Sequence, residues 1–394
     1  MNKPMIVAVA KETFPGERRV ALVPSGVAAL RKAGFDVLVQ SSAGDAAGHC
    51  DAQYVEKGAR LAETRDEVFQ ADILLQVRST GADDLARLRP GQTVIGMCDP
   101  LGSPQVANEV AATGVTLFSL ETLPRITRAQ GMDVLSSMAT VAGYRAVLLA
   151  AEALPQMFPM LMTAAGTLAP ARTLVIGAGV AGLQAIATAR RLGAVVSGYD
   201  VRPGVKEQVE SLGAKFLEME LDTATAEGGG GYAQQMDEEF YRRQRELMSD
   251  TLRATDVVIT TAAVPGKKAP VLITAEMVAG MPQGAVIVDV AAERGGNCEL
   301  TVPGETVVAH GVTILGPTNL PSEVARHASQ MYSKNISTFL LHIVDEGQLK
   351  LDREDEIVAG TLIARDGKVV HPLVCELLGS VLDGVPGVGK GEDN

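Results

Sequence analysis

Short runs of apolar residues alternate with amphipathic segments over the first 121 residues of the chain. The apolar runs predict strands, because they are six or seven residues long and rich in Val, Ile and Leu. The segments between them predict helices, with Ser25 and Ser103 as N-caps and Gly34 and Gly114 at helix ends. This alternation indicates a parallel sheet covered on both faces. The predicted strands are Met5–Ala10, Phe35–Gln40, Ala71–Val77, Thr93–Cys98 and Val115–Leu120, and the predicted helices are Ser25–Ala33, Ala52–Ala59, Ala82–Leu88 and Pro104–Thr113.

A second series of strands follows an Ala/Val/Leu-rich segment of helical character from Asp133 to Leu154. After it, the amphipathic stretch Glu323–Val344 predicts a long helix that carries the chain back to the first domain. The segment from Leu349 onward then completes that domain. The alternative is three consecutive units, with the C-terminal segment standing alone. The strands predicted in the second series are Thr173–Ile176, Ala194–Tyr199, Lys215–Glu218, Val257–Thr261, Ala285–Val290 and Val312–Leu315.

We therefore expect an α/β protein with two Rossmann-like, doubly wound parallel-sheet domains linked by long helices. The first domain is discontinuous and is predicted over residues 1–138 and 322–394, and the second over residues 139–321. A length of 394 residues agrees with two domains, because single hydrophobic cores stop growing below this size.

One segment, residues 222–235, lacks any apolar periodicity. Four consecutive glycines, Gly228–Gly231, precede Tyr232 in its middle. Ordering four glycines costs much entropy, so they rarely pack, and a long loop in a compact domain is usually functional or disordered. We predict a mobile flap with Tyr232 near its tip; the alternative is a tolerated surface insertion.

Composition and charge exclude several classes of protein. The chain is 46% hydrophobic and 21% charged, as globular proteins are, and its net charge of −12 argues against nucleic-acid binding. The most membrane-like stretch, Ala146–Ala169, contains Glu152, Pro155 and Pro159, so a soluble chain is expected. Four scattered cysteines indicate a reducing compartment, and five histidines without ligand spacing predict no metal site.

The strongest chemical signal is a glycine motif, Gly177-Ala-Gly179-Val-Ala-Gly182, between a predicted strand and an Ala-rich helix. Gly177 permits a tight turn, Gly179 lets the backbone approach a pyrophosphate, and Gly182 allows the helix to pack closely on the strand. The helix N-terminus then offers N–H groups to the phosphates. The motif predicts a dinucleotide site; the alternative is a glycine turn that only packs.

The residue that ends the next strand selects the nucleotide. Asp200 lies 18 residues after Gly182, where a carboxylate accepts hydrogen bonds from the adenosine ribose hydroxyls and repels a 2′-phosphate. NAD(H) is therefore preferred over NADP(H). Arg202 complicates this prediction because arginine can bind a 2′-phosphate, but it could also stack on the adenine.

A second polar cluster follows the last strand of the first series. Arg125, Arg128, Gln130, Asp133 and Ser136 lie within twelve residues at the carboxyl end of a strand, where such sheets bind ligands. Two guanidinium groups, an amide, a carboxylate and a hydroxyl could hold a carboxamide. A salt-bridged linker between domains is the alternative.

The chain resembles the NAD(H)-binding subunit (domain I) of proton-translocating NAD(P) transhydrogenase, within the alanine dehydrogenase superfamily. The resemblance rests on PRITRAQGMDVLSS, the glycine motif with its flanks, DVRPGVKEQVESLGAKF and GGGGYAQQM, and extends from KETFPGERRVALVP to DGKVVHP. It implies two Rossmann-like domains with NAD(H) in the cleft, and a homodimer. It also implies an Si/Re-specific enzyme component that docks onto a partner subunit holding NADP(H). Membrane subunits then conduct the protons and keep this chain at the cytoplasmic side of the inner membrane.

The resemblance also implies roles for particular residues. Four of them would position the nicotinamide ring with no acid or base, since hydride passes directly between two nicotinamides. Others would bind the rest of NAD(H), and among them Gly231, Tyr232 and Gln244 would belong to a loop that closes over the nucleotide. The nicotinamide-positioning residues are Arg125, Gln130, Asp133 and Ser136, and the cofactor-binding residues are Arg128, Gly177, Gly179, Val180, Gly182, Asp200, Val201, Arg202, Gly231, Tyr232, Gln244 and Ala263.

Two other functions compete with this prediction. Alanine dehydrogenase resembles the chain in KE…ERRVALVP and in the glycine turn, but it needs a lysine and a histidine at its pyruvate site. The corresponding places here read Leu75–Arg78 and Met97–Pro100, and they contain neither. A non-catalytic NAD-sensing module is the other alternative, although it would not need the Arg125–Ser136 cluster.

Overall fold

The computed structural model describes residues 4–78, 82–218, 238–263, 266–345 and 348–379. The chain divides into two compact units. Unit 1 comprises Met1–Leu135 and Ala325–Asn394, and unit 2 comprises Ser136–Val324. Unit 1 is therefore formed by the two ends of the chain.

Unit 1 is built on a sheet that has eight strands among the described residues. Its order is β19-β18-β6-β5-β4-β1-β2-β3, and β1 to β6 pair in parallel, as helical crossovers between strands require. The C-terminal segment adds β18 and β19 at one edge in antiparallel pairing, and β16 and β17 form a separate hairpin. The strands are β1 Ile6–Val9, β2 Asp36–Gln40, β3 Arg60–Ala62, β4 Ile73–Arg78, β5 Thr93–Met97, β6 Thr116–Ser119, β16 Val344–Asp345, β17 Gln348–Leu349, β18 Leu362–Arg365 and β19 Lys368–Val369.

The helices of unit 1 follow the apolar pattern closely, but the predicted caps do not. Val23, not Ser25, is the N-cap of the first helix, because Pro24 supplies the first helical residue with its preset φ. Ser103 does occupy an N-cap, yet its side chain makes no capping hydrogen bond. Gly34 and Gly114 have the positive φ expected of helix ends. The helices are α1 Pro24–Lys32, α2 Asp51–Glu56, α3 Arg65–Val68, α4 Ala82–Leu85, α5 Pro104–Ala112, α12 Ala325–His342, α13 Glu356–Thr361 and α14 Pro372–Leu377.

Unit 2 contains a seven-stranded sheet among its described residues, with the order β11-β10-β9-β12-β13-β15-β14. The chain runs from β9 outward to β11, then crosses back to β12 on the other side of β9. The strand order therefore reverses between β9 and β12. All pairs are parallel except β14 with β15. The strands of unit 2, of which β7 and β8 form a separate two-stranded sheet, are β7 Leu161–Thr163, β8 Gly166–Leu168, β9 Arg172–Ile176, β10 Val195–Tyr199, β11 Lys215–Phe216, β12 Val257–Thr260, β13 Val286–Asp289, β14 Thr306–Ala309 and β15 Val312–Leu315.

The central strands of unit 2 are buried on both faces, which explains their continuous apolar runs. Two apolar clusters cover the faces, one around Val175 and Ile259 and the other around Leu174 and Val258. The helices of this unit are α6 Val134–Ala153, which begins two residues before it, α7 Val180–Arg191, α8 Lys206–Ser211, α9 Glu238–Leu252, α10 Ala275–Ala279 and α11 Leu320–Glu323.

Several short structural features are absent from the sequence prediction, the strands β16 to β19 of the C-terminal segment among them. Strand β3 has only three residues, two of them exposed, and β14 is an exposed edge strand, so neither forms an apolar run. The β7–β8 hairpin is missed as well. The α/β class with two parallel-dominated sheets is confirmed.

One helix changes the expectation about membrane segments. By length and composition alone, α6 could cross a membrane, although 44% of its most apolar window is buried inside the protein. Core helices of soluble proteins pass the same test, so this finding is weak support for a span. The apolar helix thus begins at Val134, twelve residues before the stretch Ala146–Ala169 that the sequence marked as the most membrane-like.

Candidate functional site

The glycine turn lies at the carboxyl end of β9, beside the point where the strand order reverses. Gly177 has a φ of +95°, which favours glycine, and its N–H donates to the Tyr199 carbonyl at 2.8 Å. The Thr261 hydroxyl donates to the Gly177 carbonyl at 3.0 Å from the end of β12. The turn is thus held by both neighbouring strands.

The other two glycines have different surroundings, and these match their predicted roles. A Cβ on Gly182 would lie 1.7 Å from the Gly177 oxygen, so helix α7 can approach β9 only with glycine there. A Cβ on Gly179 would meet nothing within 4 Å, so this side of the turn is open to a ligand. Gly179 is also the N-cap of α7 and supplies no side-chain acceptor to the first helical N–H groups. The turn therefore fits a pyrophosphate.

Asp200 follows β10, and its buried carboxylate is bound to the same turn. Its Oδ2 accepts the Ala178 N–H at 2.7 Å, which places the carboxylate against the phosphate-binding backbone. The remaining donors come from Arg202: its Nε and Nη2 contact the two oxygens at 2.9 Å each, and its backbone N–H donates at 2.9 Å. These four donors match the roughly four lone-pair positions of a carboxylate.

This ion pair changes the interpretation of Arg202. Its guanidinium group is neutralised by Asp200 and is only 11% exposed, so it does not present a free charge to a 2′-phosphate. A ribose that hydrogen-bonds to Asp200 has to replace some of these contacts. Val201 is partly buried against the core beside the pair, and Val180 is 38% exposed at the start of α7.

A loop at the carboxyl end of β12 lies next to the glycine turn. Ala263 is exposed, and the preceding Ala262 is held at both backbone groups by the Asn297 side chain. Asn297 and its buried partner Asp289 escaped the sequence reasoning. The signal that could have found them is the Gly295-Gly296 pair, since adjacent glycines often mark a backbone that wraps a polar group.

Gln244 is not part of a loop, contrary to the prediction. It lies on α9, is 1% exposed, and donates from Nε2 to the Tyr199 hydroxyl at 2.8 Å. Its Oε1 has no hydrogen-bond partner among the described residues. The sequence analysis predicted no helix between the glycine-rich segment and β12, so it missed α9. Gly231 and Tyr232, with the predicted loop 222–235, lie outside the described residues.

The second polar cluster lies after β6 in unit 1, on a 3-10 segment from Thr127 to Met132. Buried Ala129 and Met132 fix this segment, and Asn335 on α12 donates to the Gly131 carbonyl at 2.9 Å. Arg128 pairs with Asp355 at 2.9 Å. Arg125 and Gln130 are exposed, Asp133 is half-buried, and Ser136 is the first residue of unit 2. Each unit thus contributes residues from the predicted set.

The two places that distinguish alanine dehydrogenase lie at the ends of β4 and β5. Arg78 contacts Glu17 at 3.4 Å and packs over the Phe14 ring. Cys98 is buried, and burial raises the pKa of its thiol. Neither residue can exchange a proton with a substrate near neutral pH.

A parallel sheet whose order reverses beside a glycine turn, with a carboxylate ending the next strand, defines a dinucleotide-binding α/β protein. Family models agree: "Alanine dehydrogenase/PNT, N-terminal domain" matches residues 8–142, and "Alanine dehydrogenase/PNT, C-terminal domain" matches residues 146–372. The chain belongs to the alanine dehydrogenase/PNT family, which confirms the resemblance seen in the sequence.

Individual relatives separate the two activities within this family. The chain is 48% identical over 377 residues to the first portion of the NAD(P) transhydrogenase alpha subunit of Rhodospirillum rubrum, covering 93% of this chain and 98% of the relative. It is 32% identical over 384 residues to an alanine dehydrogenase of Halomonas elongata, covering 95% and 97%. The crystal structure of a transhydrogenase from Sinorhizobium meliloti matches with a TM-score of 0.85 and 45% identity, covering 93% and 100%.

Proposed function

We propose that this chain is the NAD(H)-binding subunit of a proton-translocating NAD(P) transhydrogenase. It binds NADH and passes a hydride directly to NADP⁺ held on a partner subunit, as an Si/Re-specific NAD(P) transhydrogenase does. The observation that carries the proposal is the glycine turn with Asp200 bonded to its backbone. High identity to transhydrogenase alpha subunits supports it.

The nucleotide selectivity follows from charge. A 2′-phosphate at the end of β10 would lie against the Asp200 carboxylate, which is 9% exposed and can only accept hydrogen bonds, and Arg202 is already paired with that carboxylate. The ribose hydroxyls of NAD(H) meet no such repulsion. The turn from Gly177 to Gly182 binds the pyrophosphate, and Val180, Val201 and Arg202 line the adenosine half.

The chemistry needs positioning more than proton transfer. NAD(H) supplies the hydride when bound. In this proposal Arg125, Gln130, Asp133 and Ser136 orient the nicotinamide and exclude water. Further nucleotide contacts come from Arg128, Gly231, Tyr232, Gln244 and Ala263. The same proposal includes two folding domains, one over residues 1–138 and 322–394 and the other over residues 139–321.

Alanine dehydrogenase activity is the weaker alternative. Its imine chemistry requires an acid–base group, whereas Arg78 is tied to Glu17 and Cys98 is buried. The lower identity to alanine dehydrogenases agrees with this ranking.

The proposed partners follow from the same assignment. An NADP(H)-binding subunit and membrane subunits that conduct protons hold this chain at the cytoplasmic face of the inner membrane. The chain itself forms a homodimer in this proposal. The β7–β8 hairpin offers an apolar surface for it, because Met162 is 80% exposed, and Met160 and Leu168 are also exposed.

A hydride-transfer assay tests the function. NADH and an NADP⁺ analogue are mixed with the chain, with and without its NADP(H)-binding partner, and an alanine/NAD⁺ assay runs alongside. We expect transfer only with the partner and no alanine oxidation. Gln130→Leu should slow transfer while leaving NADH binding intact; unchanged transfer in this variant would contradict the role of the cluster.

Light scattering of the purified chain, with Met162→Glu as comparison, tests the dimer.

A further inference from the structure

The loop after β12 is held by a buried polar network centred on Asp289 and Asn297. Asp289, at the end of β13, is fully buried and accepts five hydrogen bonds. Its Oδ1 accepts from the Thr260 hydroxyl at 2.9 Å and the Ala291 N–H at 3.1 Å. Its Oδ2 accepts from the N–H groups of Asn297 at 2.7 Å and Cys298 at 3.0 Å, and from the Thr301 hydroxyl at 2.7 Å.

Glycines allow the backbone to wrap around this carboxylate. Gly295 and Gly296 have φ values of +94° and +78°, and a Cβ on Gly296 would lie 2.8 Å from Asp289 Oδ2. A residue with a side chain at position 296 would push the Asn297 N–H away from the carboxylate. The result is a rigid platform that holds the Asn297 side chain in one orientation.

Asn297 uses that orientation to hold the loop. Its Oδ1 accepts the Ala262 N–H at 3.0 Å, and its Nδ2 donates to the Ala262 carbonyl at 2.8 Å and the Pro270 carbonyl at 2.9 Å. One fully buried amide therefore ties together both sides of the segment that leaves β12 and returns at Pro270. Because all three of these hydrogen bonds go to the backbone, they determine where Ala262 and Ala263 lie.

The place of this loop in the sheet indicates what it faces. A dinucleotide in this fold spans the point where the strand order reverses, with one mononucleotide half on each side. The adenosine half belongs to β9 and β10, since Asp200 ends β10. The other half, which carries the nicotinamide, therefore lies over the ends of β12 and β13.

We propose that Asn297 is a positioning residue for the nicotinamide: it sets the Ala262–Ala263 backbone against the ring. This inference rests on the proposed binding of NAD(H), but it does not depend on transhydrogenation. It predicts that Asn297 matters for the nicotinamide and not for the ADP-ribose portion of the cofactor.

The experiment compares two ligands that differ only in the ring. Dissociation constants for NADH and ADP-ribose are measured by calorimetry on the unmodified chain, on Asn297→Leu and on Thr260→Val. We expect the unmodified chain to bind NADH more tightly than ADP-ribose. Asn297→Leu should bring the two constants to within about 2-fold of each other, with ADP-ribose affinity unchanged. Single-turnover hydride transfer should slow by roughly 10-fold or more, since a small misplacement of reacting groups costs this much.

Thr260→Val is the matched control, because it removes one hydrogen bond from the same buried carboxylate without touching Asn297. It should lower the thermal midpoint but preserve the ratio of the two constants. Equal loss of NADH and ADP-ribose affinity in Asn297→Leu would overturn the proposal, as would equal affinities in the unmodified chain. Absent hydride transfer in the unmodified chain would instead count against the proposed function, while the ligand ratio would still test Asn297.

A measurement on the unmodified chain covers the case in which Asn297→Leu does not fold. The backbone amide of Ala262 is followed by NMR while each ligand is added. We expect its resonance to shift with NADH and to stay in place with ADP-ribose. The same shift with both ligands would overturn the proposal.

Discussion

The two parallel sheets of this protein have similar architectures, yet the carboxyl ends of their strands carry different chemistry. In unit 2, β9 ends in a glycine turn with open space at Gly179. In unit 1, β1 is followed by the half-buried Glu12, whose carboxylate accepts the N–H groups of Val77 at 2.7 Å and Arg78 at 3.3 Å. An internal carboxylate thus occupies backbone donors at the strand ends of unit 1, whereas the turn of unit 2 stays open at Gly179, although Asp200 accepts its Ala178 N–H.

The neighbouring charges in unit 1 are also satisfied internally. Glu17 and Arg19 form a buried bidentate pair with distances of 2.8 and 2.7 Å. Burial raises the pKa of Glu12 from 4.5 to about 7, and Glu17 nearby adds to this effect. The comparison shows that the sheet architecture alone does not make a nucleotide site. The residues that occupy the strand ends decide whether the backbone donors remain available.

The largest expected effect tests how closely helix and strand approach in unit 2. Gly182→Ala places a methyl group 1.7 Å from a backbone oxygen, so we expect a loss of roughly 3 kcal/mol or more in the free energy of unfolding. Gly179→Ala is the control: it meets no neighbour, so stability should be retained while NADH affinity falls. Thermal unfolding measures the stability of both variants, and NADH titration measures their affinity for the nucleotide. A stable Gly182→Ala variant with normal NADH affinity would contradict the assigned role.

The second effect tests the internal carboxylate of unit 1. Because the pKa of Glu12 is higher in the folded than in the unfolded chain, its contribution to stability is present below pH 4.5 and is lost as the pH rises toward 7. A shift of this size corresponds to about 3 kcal/mol. Glu12→Gln should therefore reduce the fall in stability between pH 5 and pH 8, measured by urea unfolding at both pH values.

Glu56→Gln is the control for that measurement, because Glu56 is an exposed carboxylate in the same unit. Its pH dependence should match that of the unmodified chain. Identical pH dependence in Glu12→Gln would show that the Glu12 carboxylate titrates normally. The raised pKa of Glu12 would then no longer distinguish the sheet of unit 1 from that of unit 2.

The third effect concerns the carboxylate that unit 2 keeps beside its turn. Asp200→Ala removes an acceptor from the ribose and frees Arg202, so the preference for NADH over NADPH should shrink by roughly 10- to 100-fold. Fluorescence titration with both nucleotides measures the ratio. Asp200→Ala combined with Arg202→Met should lower NADPH affinity again, if the freed guanidinium binds the 2′-phosphate. Equal affinities in the unmodified chain would refute the role of Asp200.

The smallest effect concerns an exposed ion pair near the polar cluster of unit 1. Asp355 contacts Arg128 at 2.9 Å and His342 at 2.6 Å, while Arg128 is 54% exposed. Asp355→Asn should cost less than about 1 kcal/mol in stability, because solvent screens such pairs. NADH affinity should change by less than about 3-fold. A larger change in affinity would mean that the Asp355–Arg128 pair orients the polar cluster. This pair would then contribute more to NADH binding than we propose.

Much of the fold follows from local pattern. Buried strands such as Val257–Thr260 form apolar runs, so they were predicted to within two residues. Elements on the exposed edges were not predicted, because β14 and β3 have no apolar run to mark them. The antiparallel strand β18 depends on pairing with β6, far earlier in the chain, which periodicity does not encode, and β19 forms only a short hairpin with β18.

In the candidate site, too, some residues followed from local pattern and others did not. Gly177, Gly182 and Asp200 were found because each has a conformational or electrostatic task that only one or two residue types can perform. Gln244 was misplaced in a loop, although the structure places it on a buried helix face. Asn297 was overlooked because an isolated asparagine carries no motif.

From the amino-acid sequence alone came the two α/β sheets, the glycine turn after β9 and the acidic residue at the end of β10, which we propose to favour NAD(H). These features depend on residues close together in the chain, where spacing and residue type decide the geometry. Tertiary structure alone decided that Arg202 neutralises Asp200, that Glu12 occupies the donors of unit 1, and that Asn297 fixes the loop after β12. The last two rest on hydrogen bonds between residues 35 to 66 positions apart, which form only when the strands pack. The pairing of Arg202 with Asp200 is local, but its burial beside the turn depends on the neighbouring strands.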